Sequence, residues 1–191
     1  MKSACLKTVF VLFVVFCAAS FVVSGSGIAQ DGSIEIVDVL SEGAGDANWK
    51  LSHGSNVEAS LSLNVDYEGK AALAVKSALK SKTADKRGNR FVLSRNVTPK
   101  PSWAEAEGIG MEVAASSPGL WWQELNVISD GKTFKQLYFP YQFTDRDWRK
   151  RMFPCGNFKG KGAFKPETMT SLSLSCSAPG RAFYVSKVFL Y

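Results

Sequence analysis

Histidine is almost absent from this chain: His53 is the one copy in 191 residues. Its scarcity bears on catalysis, because a serine or cysteine nucleophile usually needs a neighbouring base. His53 lies in the turn-like stretch "LSHGSN" and reads as a surface or cap residue rather than that base. Cysteine is scarce too. Four are present, of which only Cys155 and Cys176 fall beyond the first 29 residues. Two cysteines and one histidine are too few for a zinc site of the usual kind. A phosphate-cradling loop is also lacking, since "GIGMEV" (108–113) has neither the remaining glycine nor the helix that should follow. There is no internal repeat, no low-complexity tract and no long amphipathic helical pattern.

The long hydrophobic runs are limited to one, and it is short. Lys2 and Lys7 precede an apolar stretch from Val9 to Val23, and small residues then lead to Gly27-Ile28-Ala29. This is the pattern of a signal peptide over 1–29, cut after Ala29, leaving a single domain over 30–191. The alternative is an uncleaved anchor, but roughly 15 apolar residues fall short of the ~20 a spanning helix needs. Phe16 stands where a lipobox before Cys17 would want a small residue. The expectation is therefore an exported protein, secreted, periplasmic or on the cell surface, with no stable membrane anchor after cleavage.

Without Lys2 and Lys7 the chain has 21 basic and 17 acidic residues, a net charge of +4. That permits an anionic partner without demanding one. Nucleic acid is not expected, for want of a recognised nucleic-acid fold. In an exported protein the even pair Cys155 and Cys176 reads as one disulfide. It would close a loop of about 20 residues and contribute roughly 3 kcal/mol in the chain-entropy picture. Two buried free thiols are the alternative.

What the chain has in quantity is short strand patterns. "DGSIEIVDVL" suits a first strand and "SEGAGDANW" breaks it. Leu61, Leu63, Val65 and Tyr67 recur at period two, a Glu68-Gly69-Lys70 turn follows, and Leu73 and Val75 lie beyond. A helix over Ala71–Leu79 competes locally, because alanine and lysine favour it, but alternation on both sides of the turn favours strand. "RFVLSRNV", "GIGMEVAAS", "LWWQELNVIS", "TFKQLYFPYQF", "DWRKRMFP", "TSLSLSCS" and "RAFYVSKVFLY" continue the series. About nine strands with turns between them predict an all-β fold, an antiparallel two-sheet sandwich or jelly roll.

The order of "VDVLSEGAGDANW", "EGKAALAV", "GIGMEVAA", "LNVISDGKTF", "DWRKRMFPCGNF" and "RAFYVSKVFLY" resembles the galactose-binding-like β-jelly roll of many non-catalytic carbohydrate-binding modules. The resemblance covers roughly Ile34 to Tyr191 and implies that Trp49 and Trp148 are core residues, where the family keeps a structural tryptophan. It departs from the family where the last strand often carries an aspartate near a structural calcium. Ser186 and Lys187 stand there, so calcium is not supported at Ser186, although Asp38, Glu42 and Asp46 offer oxygens elsewhere. No cofactor is expected, and the metal question stays open.

Carbohydrate recognition takes aromatic faces with a few placed polar groups. In "LWWQELNVIS" alternation puts Trp121, Gln123, Leu125 and Val127 on one face and Trp122, Glu124, Asn126 and Ile128 on the other. The first set reads as core. The second makes Trp122 a candidate stacking residue, with Glu124 and Asn126 as hydroxyl partners, unless a loop covers it. Gln136 and Tyr138 extend the patch if they share its face, and either face of their strand can be the buried one. Trp103, in the loop "TPKPSWAEAE", is a second stacking candidate or a plug on the sandwich edge.

The expected function is binding of a polysaccharide or glycoconjugate on an aromatic and polar sheet face. The alternatives are a jelly-roll glycoside hydrolase or polysaccharide lyase, and a structural or adhesive domain without a sugar site. No catalytic residue is assigned. The oligomeric state is left open.

Overall fold

The structure is a computed structural model that describes residues 34–80, 89–117, 119–143, 146–177 and 180–191, with the side chains of 119–123 and 137–143 outside the description. The compact unit runs from Ile34 to Tyr191. Its strands are β1 (Asp38–Ser41), β2 (Lys50–His53), β3 (Val57–Tyr67), β4 (Lys70–Leu79), β5 (Arg90–Asn96), β6 (Gly108–Ala115), β7 (Gly119–Ser129), β8 (Lys132–Phe143), β9 (Arg149–Pro154), β10 (Met169–Ser177) and β11 (Ala182–Leu190). Every pairing between them is antiparallel. The all-β, two-sheet reading holds. Short 3₁₀ turns at Pro101–Glu105, Cys155–Asn157 and Pro166–Thr168 are the only helical pieces among the described residues, and none is long and apolar enough to cross a membrane.

The first sheet has the order β3-β4-β11-β6-β9, and the second β2-β5-β10-β7-β8. β4 is a strand, so alternation overrides the helix propensity of its alanines. Two hairpins are set by their turns. Glu68 and Gly69 close β3–β4, and Asp130 and Gly131 close β7–β8, with all four residues at positive φ. A two-residue turn of that kind matches the twist of the flanking strands.

β11 is the hinge of the first sheet. Its first half pairs with β4, its last residues pair with β1, and β6 runs along its other side. The handover coincides with an irregularity between Val185 and Lys187. Gly43 lies against this point at φ 71°, where a Cβ would come within 2.4 Å of the Val185 carbonyl oxygen. Only glycine suits that approach.

Between the sheets the core collects Leu73, Val75, Phe91, Leu93, Ile109, Val113, Leu125, Val127, Phe153, Leu174, Phe183 and Val185, all nearly inaccessible. Trp49 is part of it, its Nε1 donating to Ser41 Oγ at 2.9 Å. Trp148 is not. It packs on the outward side of the first sheet with Tyr67, Tyr184, Ala72, Ala74 and Ala114.

The two cysteines are free thiols, which corrects the expected disulfide. The reason is topological. Cys155 donates its Sγ hydrogen to the Ala106 carbonyl and feels the Glu167 carboxylate, so it lies by the start of β10. Cys176 is seven positions along β10 from Met169, about 23 Å at strand rise, whereas a disulfide needs Cα atoms within about 7 Å. Burial, with Glu167 and Glu107, pushes the Cys155 thiol up to about 11, and burial alone pushes Cys176 up as well.

Candidate binding face

The second sheet presents its outward surface in rows that cross the strands, because directly paired residues share a face. The central row runs Lys50, Ser94, Ser173, Asn126 and Lys135, one residue from each of β2, β5, β10, β7 and β8. A backbone bridge continues it to Lys159, with Lys135 N to Lys159 O at 2.8 Å and the reverse bond at 2.7 Å. On one side of this row lie Ser52, Val92, Ser175 and Glu124, and on the other Asn96, Ser171, Ile128 and Thr133. Arg90 pairs with Ser177 at one end.

Serine therefore occupies every outward position along the middle strand: Ser171, Ser173, Ser175 and Ser177. The inward positions between them are Leu172, Leu174 and Cys176, all buried. Short hydroxyl side chains at the centre, with longer ones towards both edges, make a polar floor with a raised rim. That signal was present in "TSLSLSCS", but a reading tuned to aromatics and carboxylates passes over it.

Of the candidates from the sequence, Glu124 and Asn126 are on this face together, with Leu125 and Val127 turned inward as alternation predicts. Glu124 lies 3.9 Å from the Lys135 ammonium. Asn126 Oδ1 is enclosed and accepts no hydrogen bond from the described residues. Gln136 is corrected: it pairs with Leu125 in the inward row Leu51, Leu93, Leu174, Leu125, Gln136 and is buried, so it does not extend the patch. Trp103 is corrected as well. It is 2 % exposed and packs in the core, its Nε1 donating to Asp38 Oδ2 at 2.7 Å, so it plugs the sandwich edge. The side chains of Trp122 and Tyr138 lie outside the described residues. In backbone, Tyr138 pairs with Gln123, and Trp122 stands opposite Phe139-Pro140, where the β7–β8 register shifts. A proline fits at such a bulge because it has no N–H for the ladder.

A cleft of about 290 Å³ opens where β1 meets the end of β5, lined by Asp38, Asn48, Arg95, Asn96, Lys100 and Trp103. Its charges are spoken for by the chain itself. Lys100 Nζ reaches Asp38 Oδ2 at 2.5 Å, and Arg95 Nε reaches Asp46 Oδ2 at 2.9 Å. The hydrogen bond from Lys100 holds the Asp38 carboxyl below its usual range, against burial and with help from Trp103. This is a buttress rather than an open site.

The outward side of the first sheet is closed at its centre. Tyr67 stacks on Tyr184 at 3.9 Å between centroids and meets Trp148 edge-on at 6.0 Å. Tyr67 also donates to the Ala115 carbonyl, and Trp148 Nε1 to the Tyr67 carbonyl. Lys70 bonds Glu112 at 2.9 Å, and Ser186 donates to the same carboxylate at 3.0 Å. Burial raises the Glu112 pKa, but Lys70 and Ser186 outweigh it and hold the group below its ordinary value. Ser186 is thus engaged with Glu112. Among the described residues no group of three or more His, Cys, Asp or Glu stands together as a metal site, and His53 is exposed.

These features define a class by fold: a jelly-roll β-sandwich of the kind found in carbohydrate-binding modules. No protein-family model matches the sequence, and no curated protein does. Among solved structures, the chain is similar to a family 11 carbohydrate-binding module from Clostridium thermocellum, solved with a β-1,3-1,4-mixed-linked tetrasaccharide. The identity is 14%, over 80% of this chain and 94% of that one, with a TM-score of 0.57. A family 30 module of a cellulosomal cellulase from the same organism gives 12%, 83%, 98% and 0.57. An exo-β-agarase gives 10% identity and a TM-score of 0.53 over 83% of this chain and 25% of the enzyme. At these identities the likeness is one of fold.

Proposed function

We propose that this protein is an exported carbohydrate-binding domain that takes a polysaccharide or glycoconjugate on the outward face of its second sheet. The observation that carries the reading is the polar floor, with serine at each outward position of β10, Ser171, Ser173 and Ser177 partly exposed, and Glu124 and Asn126 beside it on β7. Hydroxyls and amides both donate to and accept from sugar hydroxyls. In this reading Glu124 and Asn126 are direct partners and Trp122, next along β7, supplies the stacking ring. The structural neighbours that are carbohydrate-binding modules support it.

A binding role is preferred to cleavage because glycosidic hydrolysis typically uses two carboxyl groups. Among the described residues of this face Glu124 stands alone. Export rests on the 1–29 pattern, and the compact unit begins at Ile34, a few residues beyond Ala29.

The test is affinity electrophoresis of residues 30–191 through gels containing defined polysaccharides, followed by titration of the best ligand. Trp122→Ala is expected to lose on the order of tenfold in affinity or more, as removal of a stacking indole at a binding centre typically does. Asn126→Ala should weaken the same ligand. Retardation by no polysaccharide, or affinity indifferent to both substitutions, defeats the proposal.

A further inference from the structure

We infer that the ligand of this face is an anionic glycan, one whose sugars carry carboxylate or sulfate groups. The inference rests on the carbohydrate reading above and narrows it. The central row begins at Lys50 and ends at Lys135 and Lys159, with Ser94, Ser173 and Asn126 between. Four strand spacings put Lys50 about 19 Å from Lys135, the length of a short oligosaccharide rather than one sugar. Arg90, beside Ser177, is a fourth exposed cation. Against these four the described outward residues hold one carboxylate, Glu124.

The placement of these cations, at both ends of one row that crosses the sheet, makes this more than a tally of surface lysines. On the first sheet Lys70 and Lys187 are matched by this chain, to Glu112 at 2.9 Å and to Glu42 at 3.7 Å, and Lys150 stands opposite Glu112, while Lys76 is exposed without an ion pair among the described residues. On the second sheet only Lys135 has a partner, Glu124 at a loose 3.9 Å, and its side chain remains 56% exposed. Lys50, Arg90 and Lys159 have no acidic partner among the described residues. The second face thus sets exposed cations at both ends of one row with a single carboxylate among them. A floor of serines lies lower than the lysine stems, so ammonium groups from both edges can lean over a chain lying in the row. Lysine suits that task, being a flexible point charge that follows anionic groups without a fixed fork geometry. The Glu124 carboxylate does not oppose it, since Lys135 offsets its charge.

The experiment compares matched pairs: polygalacturonate with its fully methyl-esterified form, and a carrageenan with its desulfated form, with polyglutamate as a polyanion that is not a sugar. The expected result is binding to at least one charged glycan, stronger than to its neutral partner by about tenfold, and weakened strongly at high salt because exposed pairs are screened. Lys50→Ala and Lys135→Ala should each weaken it several-fold, and the double variant more. Lys70→Ala, on the other sheet, should not change it. These exposed lysines are safe to replace, since surface substitutions seldom unfold a domain. Equal or tighter binding of the neutral partner, with Trp122→Ala still harmful, overturns the anionic assignment while the carbohydrate reading stands. Equal binding of polyglutamate also overturns it, as charge alone would explain retention. Failure of every glycan, charged or neutral, removes the carbohydrate reading itself.

Discussion

The two outer faces of this sandwich are built from the same strand pattern and end in opposite states. On the first sheet Ala72 and Ala74 of β4, Ala114 of β6 and Tyr184 of β11 face outward at the centre, and Tyr67 and Trp148 fold over them. The ring stack, the indole bond to the Tyr67 carbonyl and the Lys70–Glu112–Ser186 contacts leave little polar capacity unused. On the second sheet the outward positions of β10 are serines, of which Ser171, Ser173 and Ser177 stay partly exposed and Ser175 is buried. Small residues serve both faces to different ends: alanine makes room for the protein's own rings, serine for someone else's hydroxyls. Stability is invested on one side and recognition capacity is left on the other.

The largest expected effect comes from breaking the closed face. Tyr67→Ala removes the stack on Tyr184, the edge contact with Trp148 and a hydrogen bond, and should cost about 3 kcal/mol. For a domain of this size that lowers Tm by about 6–12 °C. Calorimetry measures it, and glycan affinity below the transition should be unchanged. Next is filling the open face. Ser173→Trp plants a large ring in the middle of the central row and should weaken glycan binding by about thirtyfold, or ~2 kcal/mol, with Tm nearly unmoved.

A smaller effect separates the faces by pH. Glu112 is held below its ordinary value of 4.5. A carboxylate depressed in the fold gives its full stabilisation above its unfolded value and loses it as pH falls through its folded value. Glu112→Gln should therefore be less stable than the parent at neutral pH, and the gap should close as the pH drops below 4.5. Denaturant midpoints at several pH values check this. The smallest effect concerns the thiols. With Cys155 raised to about 11 and Cys176 enclosed beneath the serine floor, iodoacetamide at pH 7 should label Cys155 slowly and Cys176 only after unfolding. Intact mass of residues 30–191 without reductant should show two thiols.

Much of this was legible because alternation is a physical signal. Leu125 and Val127 are apolar and their neighbours polar, so the inward face of β7 could be assigned from the sequence. β8 gave no such choice. Phe134 with Gln136 and Lys135 with Leu137 each mix one apolar and one polar residue, and only pairing to Leu125 turns Gln136 inward. Trp103 illustrates a second limit. Its loop is polar and small, yet a 3₁₀ turn over Pro101–Glu105 buries the indole, where Asp38 receives its N–H. The fate of Trp148 turned on which side of a sheet it covers, which hydrophobicity does not encode. The cysteines were misread because an even count says nothing of where the strands carry each thiol.

The seam on β11 has a consequence for how the chain is assembled. Asp38, Val39 and Ser41 find their partners at Leu190, Phe189 and Val188, and β4 and β6 are joined only through the same strand. Until residues 182–190 are available, the first sheet exists as three unconnected parts, β3–β4, β6–β9 and β1. Contacts this distant in sequence make for slow closure. The first sheet thus stays open until residues 182–190 have been made, and a truncation after Arg181 should leave no sandwich at all.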